Sequence, residues 1–381
     1  MQIRHTARLR LEPVSPAHAD DLWRVFQDEH IAHWYGGAWS PEQAATNAAA
    51  MHAAWRADGV HKWVAYHRET GELVGRGGLS WTDVTGSRRL EVGWAVRSPF
   101  RGQGYATEIG RAGLDFAVER FRAGEVIAFT ERHNSASRAV MERLGMRYHG
   151  ELHIPDEGPF ALYATELTTA NGIRLAYRVA GVPRNPAMVL LHGLGDSQGD
   201  WDAVLPALTR DFRVYALDLR GHGGSEFPGT YSFELMRDDV IAFLDVQGID
   251  SCVLLGHSMG AVVAVLVAQS AQHRLTHLIL EDATVPRPGD MDRPPLDDVA
   301  EVVNPIRAQL TDPDPAWWEK TQDIQTKTLI IAGSDSPVPR HMLESVADRM
   351  PSATLTTVSA GHNVHRDNPD DFVTAVTRFL S

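Results

Sequence analysis

The chain has 381 residues, which is enough for two or three domains of ordinary size. Its content of 43% hydrophobic and 22% charged residues is typical of a globular protein with sizeable cores. A formal net charge of -13, without a long lysine or arginine run, argues against nucleic acid or an anionic membrane surface as a partner.

Two further features bear on the cellular compartment. The single cysteine, Cys252, cannot form an intrachain disulfide and lies in an apolar stretch, where we expect a small core residue. The first residues contain no apolar signal core, and no apolar run reaches membrane-spanning length. We therefore expect a cytoplasmic protein without a membrane partner.

The first half of the chain mixes strand and helix signals. Residues 8–14 alternate apolar and polar side chains, as a strand does, and Ser15-Pro16 and Ser40-Pro41 are typical helix starts. A hairpin of two strands is predicted over 62–79 and a further strand over 89–96. This order predicts a domain that mixes helices with a sheet.

Two segments of this half carry a chemical signal. The first, Arg101-Gly102-Gln103-Gly104-Tyr105-Ala106, opens a helix, where glycines let the backbone approach a ligand and free amides bind phosphate. The second runs from Asn134 to Met146 after the next strand and contains Leu-Gly-Met at its end. Together they resemble the R/Q-x-x-G-x-G/A loop and the N-x-x-S…L-G-M segment of the GNAT acyl-CoA N-acetyltransferases.

The resemblance covers about residues 8–167 and points to the branch that acetylates ribosomal-protein N-termini. It implies a mixed α+β GNAT fold that binds acetyl-CoA, with the pyrophosphate on the amides of Arg101–Ala106. The pantetheine and acetyl group would lie along a splayed strand at Trp94 and Val96, and Asn134 would also contact the cofactor. The acetyl acceptor would be an amine or a protein N-terminus.

Acetyl transfer needs a base for the amine and an acid for the leaving thiolate. Glu91, on the strand before the loop, is the candidate base, and an exposed strand carboxylate is the alternative. Many relatives carry a tyrosine acid where this chain has Met141. Ser137 can substitute for it, or Ser137 and Asn134 can simply cap the helix, and His133 is expected to be a loop histidine. A second hypothesis therefore makes this domain a non-catalytic CoA-binding or docking module.

The second half of the chain alternates short apolar strands with helices, which implies a parallel sheet with right-handed crossovers. No Pro/Ser/Gly-rich spacer precedes it, so we expect abutting domains over 1–168 and 169–381. In this half, Ser258 stands in a G-x-S-x-G turn between an apolar strand and a small-residue helix. Such a turn exposes the serine hydroxyl beside the amides of the helix start; a glycine-rich turn with an incidental serine is the alternative.

Five motifs in order resemble the α/β-hydrolase family over 169–381. The resemblance implies that Ser258 attacks a carbonyl, that His362 moves its proton and that Asp335 orients the histidine. Asp282, at another strand end, is a rival acid, and His365 is a rival base that the Ala-Gly-His turn disfavours. The motifs are His192-Gly193, Asp218–Ser225, Gly256–Gly260, Gly333-Ser334-Asp335 and Gly361-His362.

The same resemblance implies an oxyanion hole and a cap. The amides of Leu194 and Met259 are the expected oxyanion donors. A short helical cap is expected over about 283–323, where Trp317 and Trp318 either line the pocket or pack the cap onto the core. No metal is expected, because the remaining histidines of these motifs lack ligand spacing and scaffold loops in relatives: His192, His222 and His257.

These observations predict an α/β protein in which a GNAT domain precedes an α/β-hydrolase domain. We expect hydrolysis of a small-molecule acyl ester without a cofactor, together with acetyl transfer from acetyl-CoA to an amine. A thioesterase, lactonase, lyase or cofactor-free haloperoxidase would use the same triad. Serine as nucleophile argues against the haloalkane dehalogenases and epoxide hydrolases of this fold, which use aspartate.

Overall fold

The computed structural model describes residues 3–154, 158–290, 293–297 and 299–381. The chain divides into two compact units, Met1–Leu167 and Thr168–Ser381. Among the described residues, none of the helices combines the length and the apolarity that crossing a bilayer would require.

The first unit is a mixed sheet packed against helices. Ser40 caps the long helix of this unit by accepting a hydrogen bond from the Gln43 amide, with Pro41 at the first helical position, as its sequence predicts. The Ser15-Pro16 signal instead opens a 3-10 turn at Pro16–His18, just ahead of the first helix. The strands are β1 (Arg4–His5), β2 (Leu9–Pro13), β3 (Trp63–His67), β4 (Leu73–Thr82), β5 (Arg89–Val96), β6 (Glu125–Glu131), β7 (Arg147–Ile154) and β8 (Gly158–Ala170). The helices are α1 (Ala19–Phe26), α2 (Glu29–Trp34), α3 (Pro41–Asp58), α4 (Tyr105–Phe121) and α5 (Ser135–Arg143).

Strand pairing in this sheet opens a gap in the middle. The order is β1-β2-β3-β4-β5-β6-β8, with β7 on β8, and the hairpin predicted over 62–79 is confirmed as the β3–β4 pair. Neighbouring strands are antiparallel except β5 and β6, which pair in parallel at one register position, Glu91 with Ile127. The two strands therefore separate after Glu91. Apolar clusters cover both faces, because Val64 and Ala65, adjacent on β3, enter different clusters.

The second unit is a largely parallel sheet with helices on both faces. Its order is β9-β11-β10-β12-β13-β14-β15; β9 is antiparallel to β11 and the other pairs are parallel, which confirms the predicted sheet. The strands are β9 (Ile173–Ala180), β10 (Ala187–Leu191), β11 (Arg213–Leu217), β12 (Cys252–His257), β13 (Leu275–Glu281), β14 (Thr328–Gly333) and β15 (Ala353–Val358). The helices are α6 (Leu205–Leu208), α7 (Phe233–Val246), α8 (Met259–Ala271), α9 (Val303–Thr311), α10 (Pro315–Glu319), α11 (Arg340–Arg349), α12 (Val364–Asp367) and α13 (Pro369–Leu380).

A buried ion pair fixes the loop that follows β11. The Arg220 guanidinium contacts the Asp239 carboxylate of α7 at 2.5 Å, with the two side chains 3% and 0% exposed. Asp218, at the start of the loop, accepts hydrogen bonds from the amides of Gln198 and Gly224. The Asp218–Ser225 motif therefore holds a loop beside the sheet edge at which the parallel strands end.

Removing one partner of this pair should destabilise the second unit strongly. Arg220→Met leaves the Asp239 carboxylate buried without its cation, which costs about 3–5 kcal/mol of unfolding free energy. The double variant Arg220→Met/Asp239→Leu should recover most of that loss, since it buries no unpaired charge. Urea denaturation of the three proteins tests this, and a double variant no more stable than Arg220→Met would contradict it.

Candidate functional site

Ser258 lies in a strained turn between β12 and α8. Its backbone has φ +50° and ψ -115°, a conformation that a residue with a side chain rarely adopts. Both flanking glycines are required by close backbone packing: a Cβ on Gly256 would overlap the Gly260 carbonyl, and one on Gly260 would overlap the Leu191 carbonyl. The turn thus has the tight strand-to-helix form that the sequence predicts.

Three side chains from different loops form a hydrogen-bonded chain at the carboxyl edge of the sheet. The His362 Nε2 atom lies 3.0 Å from the Ser258 Oγ atom, and His362 Nδ1 lies 2.7 Å from Asp282 Oδ2. A carboxylate only accepts, so the Nδ1–H of His362 donates to Asp282 and leaves Nε2 free to accept from the serine hydroxyl. The serine and the histidine are the two that the sequence predicts.

The carboxylate that ends this hydrogen-bonded chain is not the one that the sequence predicts. The structure places Asp282, immediately after β13, against His362, whereas Asp335 is exposed and its carboxylate accepts a hydrogen bond from Ser334. Asp282, the rival in the sequence prediction, therefore contacts His362, whereas the preferred Asp335 does not. Both aspartates follow parallel strands that end at the same edge, so sequence position alone does not separate them.

The Asp282 carboxylate is fully buried and held from three sides. Besides His362, it accepts hydrogen bonds from the Gly333 amide at 3.0 Å and from the Ser336 hydroxyl. Its backbone has φ +46°, so the fold stabilises a strained residue at this position as it does at Ser258. The hydrogen bond from Ser336 to this carboxylate is not predicted from the sequence, since one serine in a loop carries no distinguishing signal.

The predicted oxyanion donors lie on two elements beside the serine. Met259 is the first residue of α8, so its amide has no intrahelical acceptor. Leu194 follows His192-Gly193, a segment fixed by the buried His192 ring, which accepts from the Leu219 amide at 3.1 Å and donates to the Gly193 carbonyl at 2.7 Å. Burial lowers the pKa of His192 to about 4, so this ring is a neutral scaffold at pH 7.

A second layer of polar side chains supports the His362 loop from inside. The His257 Nε2 atom donates to the His362 carbonyl at 3.0 Å. His365 is fully buried between Glu281 and Asp200, with contacts of 2.8 and 2.9 Å. Burial by itself lowers the pKa of His365, but the hydrogen bonds to Asp200 and Glu281 outweigh it and raise the pKa to about 9.

This cluster brings metal-ligand atoms together without forming an open metal site. Ligand-type atoms of Asp200, His257 and His365 lie within 4.8 Å of one another. Both nitrogens of His365 hydrogen-bond carboxylates, and Arg366 contacts Asp200 at 3.0 Å, so ion pairs already use these atoms. The cluster stiffens the loop that carries His362.

The cap segment contains α9 and α10, and its tryptophans make packing contacts. Trp317 is buried, packs edge-on against Phe233 and donates its Nε1–H to Glu234 at 3.0 Å. The guanidinium carbons of Arg287 and Arg349 lie 4.7 and 5.0 Å from the centroid of the Trp318 ring. Of the two roles considered for these tryptophans, attachment of the cap to α7 is the one that these contacts favour for Trp317.

In the first unit, the gap between β5 and β6 forms a cavity of about 1330 Å³. Gly104 caps α4 with φ +83°, so the loop turns its free helix-start amides toward the cavity. Gln103, in contrast, donates to the Pro99 carbonyl and is not part of the lining. Predicted residues that line the cavity are Glu91, Trp94, Val96, Arg101, Gly102, Gly104, Tyr105, Ala106, Asn134 and Ser137.

The predicted base and acid of this cavity have structural partners. The Glu91 carboxylate lies 2.6 Å from the buried Lys62 ammonium and accepts from the Ser80 hydroxyl at 3.0 Å, so the alternative of an exposed strand carboxylate is wrong. Asn134 caps α5 by accepting from the Ser137 amide at 3.1 Å, while the Ser137 side chain still lines the cavity. His133 is exposed, as expected of a loop histidine.

Comparison with known proteins identifies both units. Residues 8–147 match the family model of the acetyltransferase (GNAT) domain, and residues 186–312 match that of the alpha/beta hydrolase fold. The chain therefore carries a GNAT acetyltransferase domain followed by a domain of the α/β-hydrolase fold, which confirms the fusion that the motifs indicate.

Individual relatives match the second unit at moderate identity. Epoxide hydrolase 3 from Xenopus tropicalis is 30% identical over 45% of this chain and 43% of its own length. A putative esterase/lipase from Haemophilus influenzae is 23% identical over 54% of this chain and 86% of its own. The enol-lactonase from Burkholderia xenovorans LB400 has a TM-score of 0.50 at 22% identity, covering 56% of this chain and 99% of that one, and shares the fold. This chain spans less than half the length of the first curated relatives that it matches.

The charged His365 predicts a pH-dependent stability for the second unit. Its folded pKa, about 9, exceeds the ordinary value of 6.5, so the folded state binds the proton more tightly. The stabilisation is complete below pH 6.5 and is lost as pH rises through 9, by about 3 kcal/mol in total. Urea midpoints at pH 6.5, 8 and 9.5 should fall steeply in the parent and less in His365→Gln. Parallel pH curves for the two proteins would contradict this.

Proposed function

We propose that the second unit is a serine hydrolase of carboxylic esters or related acyl bonds. The observation that carries this proposal is the unbroken hydrogen-bond chain from Ser258 through His362 to the buried Asp282. A free serine hydroxyl is a weak nucleophile, and a neutral imidazole held in the right tautomer by a carboxylate activates it.

The proposed reaction uses each group in turn. The Ser258 oxygen attacks the acyl carbon while His362 takes the hydroxyl proton, and Asp282 stabilises the resulting imidazolium. The amides of Met259 and Leu194 would stabilise the oxyanion. His362 then returns the proton to the leaving alcohol, and water releases the acyl group by the same route. The roles of nucleophile, base and oxyanion donors are those expected from the sequence; Asp282 replaces Asp335 as the acid.

Some of the relatives are named epoxide hydrolases, and another is named a putative esterase/lipase. Serine at the nucleophile position favours acyl transfer, because its acyl-enzyme is an ordinary ester that water can hydrolyse. Thioesters and lactones present the same carbonyl to the same groups, so a thioesterase or lactonase is the nearest alternative. A lyase or haloperoxidase would use the triad differently and remains a further alternative.

The choice of acid gives a direct test of the proposed site. With p-nitrophenyl acetate and butyrate, Ser258→Ala should abolish measurable turnover, and Asp282→Asn should lower kcat by about ten-thousand-fold because it loses the orienting carboxylate. Asp335→Asn, a matched change on the neighbouring loop, should leave kcat close to that of the parent. If Asp335→Asn causes the larger loss, Asp335 is the acid. Full activity in Ser258→Ala would reject the proposed nucleophile.

For the first unit, we propose acetyl transfer from acetyl-CoA to an amine. The cavity between β5 and β6, bordered by the Arg101–Ala106 loop at the start of α4, supports this. The residues fit the cofactor: free helix-start amides suit a pyrophosphate, and the separated strands leave room for the pantetheine. Acetyl-CoA supplies an activated thioester when bound. The amine nitrogen would attack the carbonyl carbon of this thioester, the C–S bond would break, and the proton lost by the amine would end on the thiolate.

The rival hypothesis, a non-catalytic CoA-binding or docking module, predicts binding without turnover. Met141 lines the cavity where relatives carry a tyrosine, which favours the rival, while Glu91 and Ser137 at the same cavity favour catalysis. Thiol release from acetyl-CoA with a panel of amines separates the two hypotheses. Tight binding of acetyl-CoA with no thiol release on any amine would support the module.

Binding of acetyl-CoA can be tested separately by introducing a negative charge into the Arg101–Ala106 loop. Ala106→Asp places a carboxylate in the first turn of α4, which suits the helix dipole but repels a bound pyrophosphate. We expect calorimetric affinity for acetyl-CoA to fall by about tenfold or more, with thermal stability unchanged or raised. Ala106→Ser, which adds no charge, should bind as the parent does. Equal affinity for all three proteins would place the pyrophosphate elsewhere.

A further inference from the structure

Arg76, on β4, is a buried cation without an anion beside it. The residue is 7% exposed, and its Nε–H has no hydrogen-bond partner. Its guanidinium carbon lies 5.3 and 5.0 Å from the ring centroids of Phe26 and Tyr35, and among the described residues no carboxylate forms an ion pair with it. Aromatic rings compensate a cation only partly, so an unpaired buried guanidinium is costly unless a ligand supplies the anion.

The nearby carboxylate does not neutralise Arg76. Glu91 is already paired with the buried Lys62 ammonium at 2.6 Å, so Arg76 is the surplus charge of this group. The local potential is positive enough to affect a neighbour: burial first, and then the charges of Lys62 and Arg76, lower the pKa of His61 to about 4. His61 is therefore neutral at pH 7 and adds no further charge.

Arg76 faces the cavity from the side opposite α4. The next residue on the strand, Gly77, lies on the face that packs against α4. A Cβ built on Gly77 would overlap the Ile109 side chain of that helix. Side chains alternate along a strand, so Arg76 lies on the other face, against Phe26 and Tyr35. The helix-start amides proposed for the pyrophosphate belong to α4. The anion for Arg76 is therefore a different group from the cofactor's pyrophosphate.

We propose that Arg76 binds a carboxylate on the acetyl acceptor, which is then a small amine that also carries a carboxylate, such as a free amino acid. This inference rests on the acetyl transfer proposed above. A guanidinium pairs with a carboxylate through two parallel hydrogen bonds, and Arg76 is one of the residues that line the cavity. Glu91 lines the same cavity for the amine end, and Trp34 and Tyr35 line it for the remainder of the acceptor. A protein N-terminus has a peptide bond where this acceptor has its carboxylate.

The test compares acids with their amides. Thiol release from acetyl-CoA is measured for the full chain with the common L-amino acids, β-alanine and 4-aminobutyrate, each beside its carboxamide. The parent should prefer acids, and Arg76→Met should raise the KM of the best acid by about thirtyfold or more while leaving its amide unchanged. Arg76→Lys should restore part of the preference. Arg88→Met, at an exposed arginine that also stacks on a tryptophan and does not line the cavity, is the matched control and should keep the preference.

Thermal shifts give a readout that does not need turnover. The preferred acid should raise the melting temperature of the parent but not of Arg76→Met, because a ligand stabilises only the state that binds it. Without ligand, Arg76→Met should be at least as stable as the parent, since it removes an uncompensated buried charge. A purely structural arginine would give the opposite result.

The outcomes separate this inference from the function on which it rests. If acids stabilise the parent through Arg76 but no amine is acetylated, the carboxylate site stands and the proposed transfer fails. Acetylation of acids and amides at equal rates, unchanged in Arg76→Met, would overturn the site and leave the transfer intact. The site is also overturned if no amino acid binds the parent in the presence of CoA.

Discussion

The close packing of backbone against backbone at Gly256 and Gly260 is the constraint on which the second unit depends. It leaves no room for a Cβ at either position and forces Ser258 into a strained conformation. A residue in this region of φ and ψ costs on the order of 1–3 kcal/mol, which the buried strands on both sides of β12 offset. The parallel register then brings the ends of β13, β14 and β15 to the same edge, beside the serine hydroxyl.

Compensation of buried charge distinguishes the two candidate sites. In the second unit, Asp282 has a histidine, an amide and a hydroxyl around it, His365 lies between two carboxylates, and Arg220 is paired with Asp239. These groups are satisfied before any substrate arrives, as the preorganised catalysis of the proposed acyl transfer requires. In the first unit, Arg76 is left unpaired at a cavity wall. Such a charge is better suited to binding a ligand than to stabilising the fold.

The same sheet feature explains why the first unit has a cavity at all. Because β5 and β6 pair at Glu91 and then separate, the end of β5 is free of its neighbour and faces the start of α4. Glu91 thus stands at the last paired position, where the ion pair with Lys62 fixes it and the cavity begins. A single carboxylate serves both the packing of the sheet and the lining of the proposed acceptor site.

The two folds, the tight turn at Ser258 and the glycine loop could be predicted from motifs whose residues lie close together in the chain. Local patterns of this kind encode turns, caps and strand periodicity directly. His362 is 104 residues from Ser258, and the resemblance of its Gly-His motif to the α/β-hydrolase family predicted the pairing. Contacts between distant parts of the chain place Asp282, and not Asp335, against His362, and they make Ser336, Lys62 and Arg76 neighbours of the proposed sites. Adjacent parallel strands end at one edge, so either aspartate could reach His362 by sequence position alone. The Asp282 carboxylate is held by the Gly333 amide, the Ser336 hydroxyl and His362, all distant in the chain, and such long-range contacts leave no local signal in the sequence.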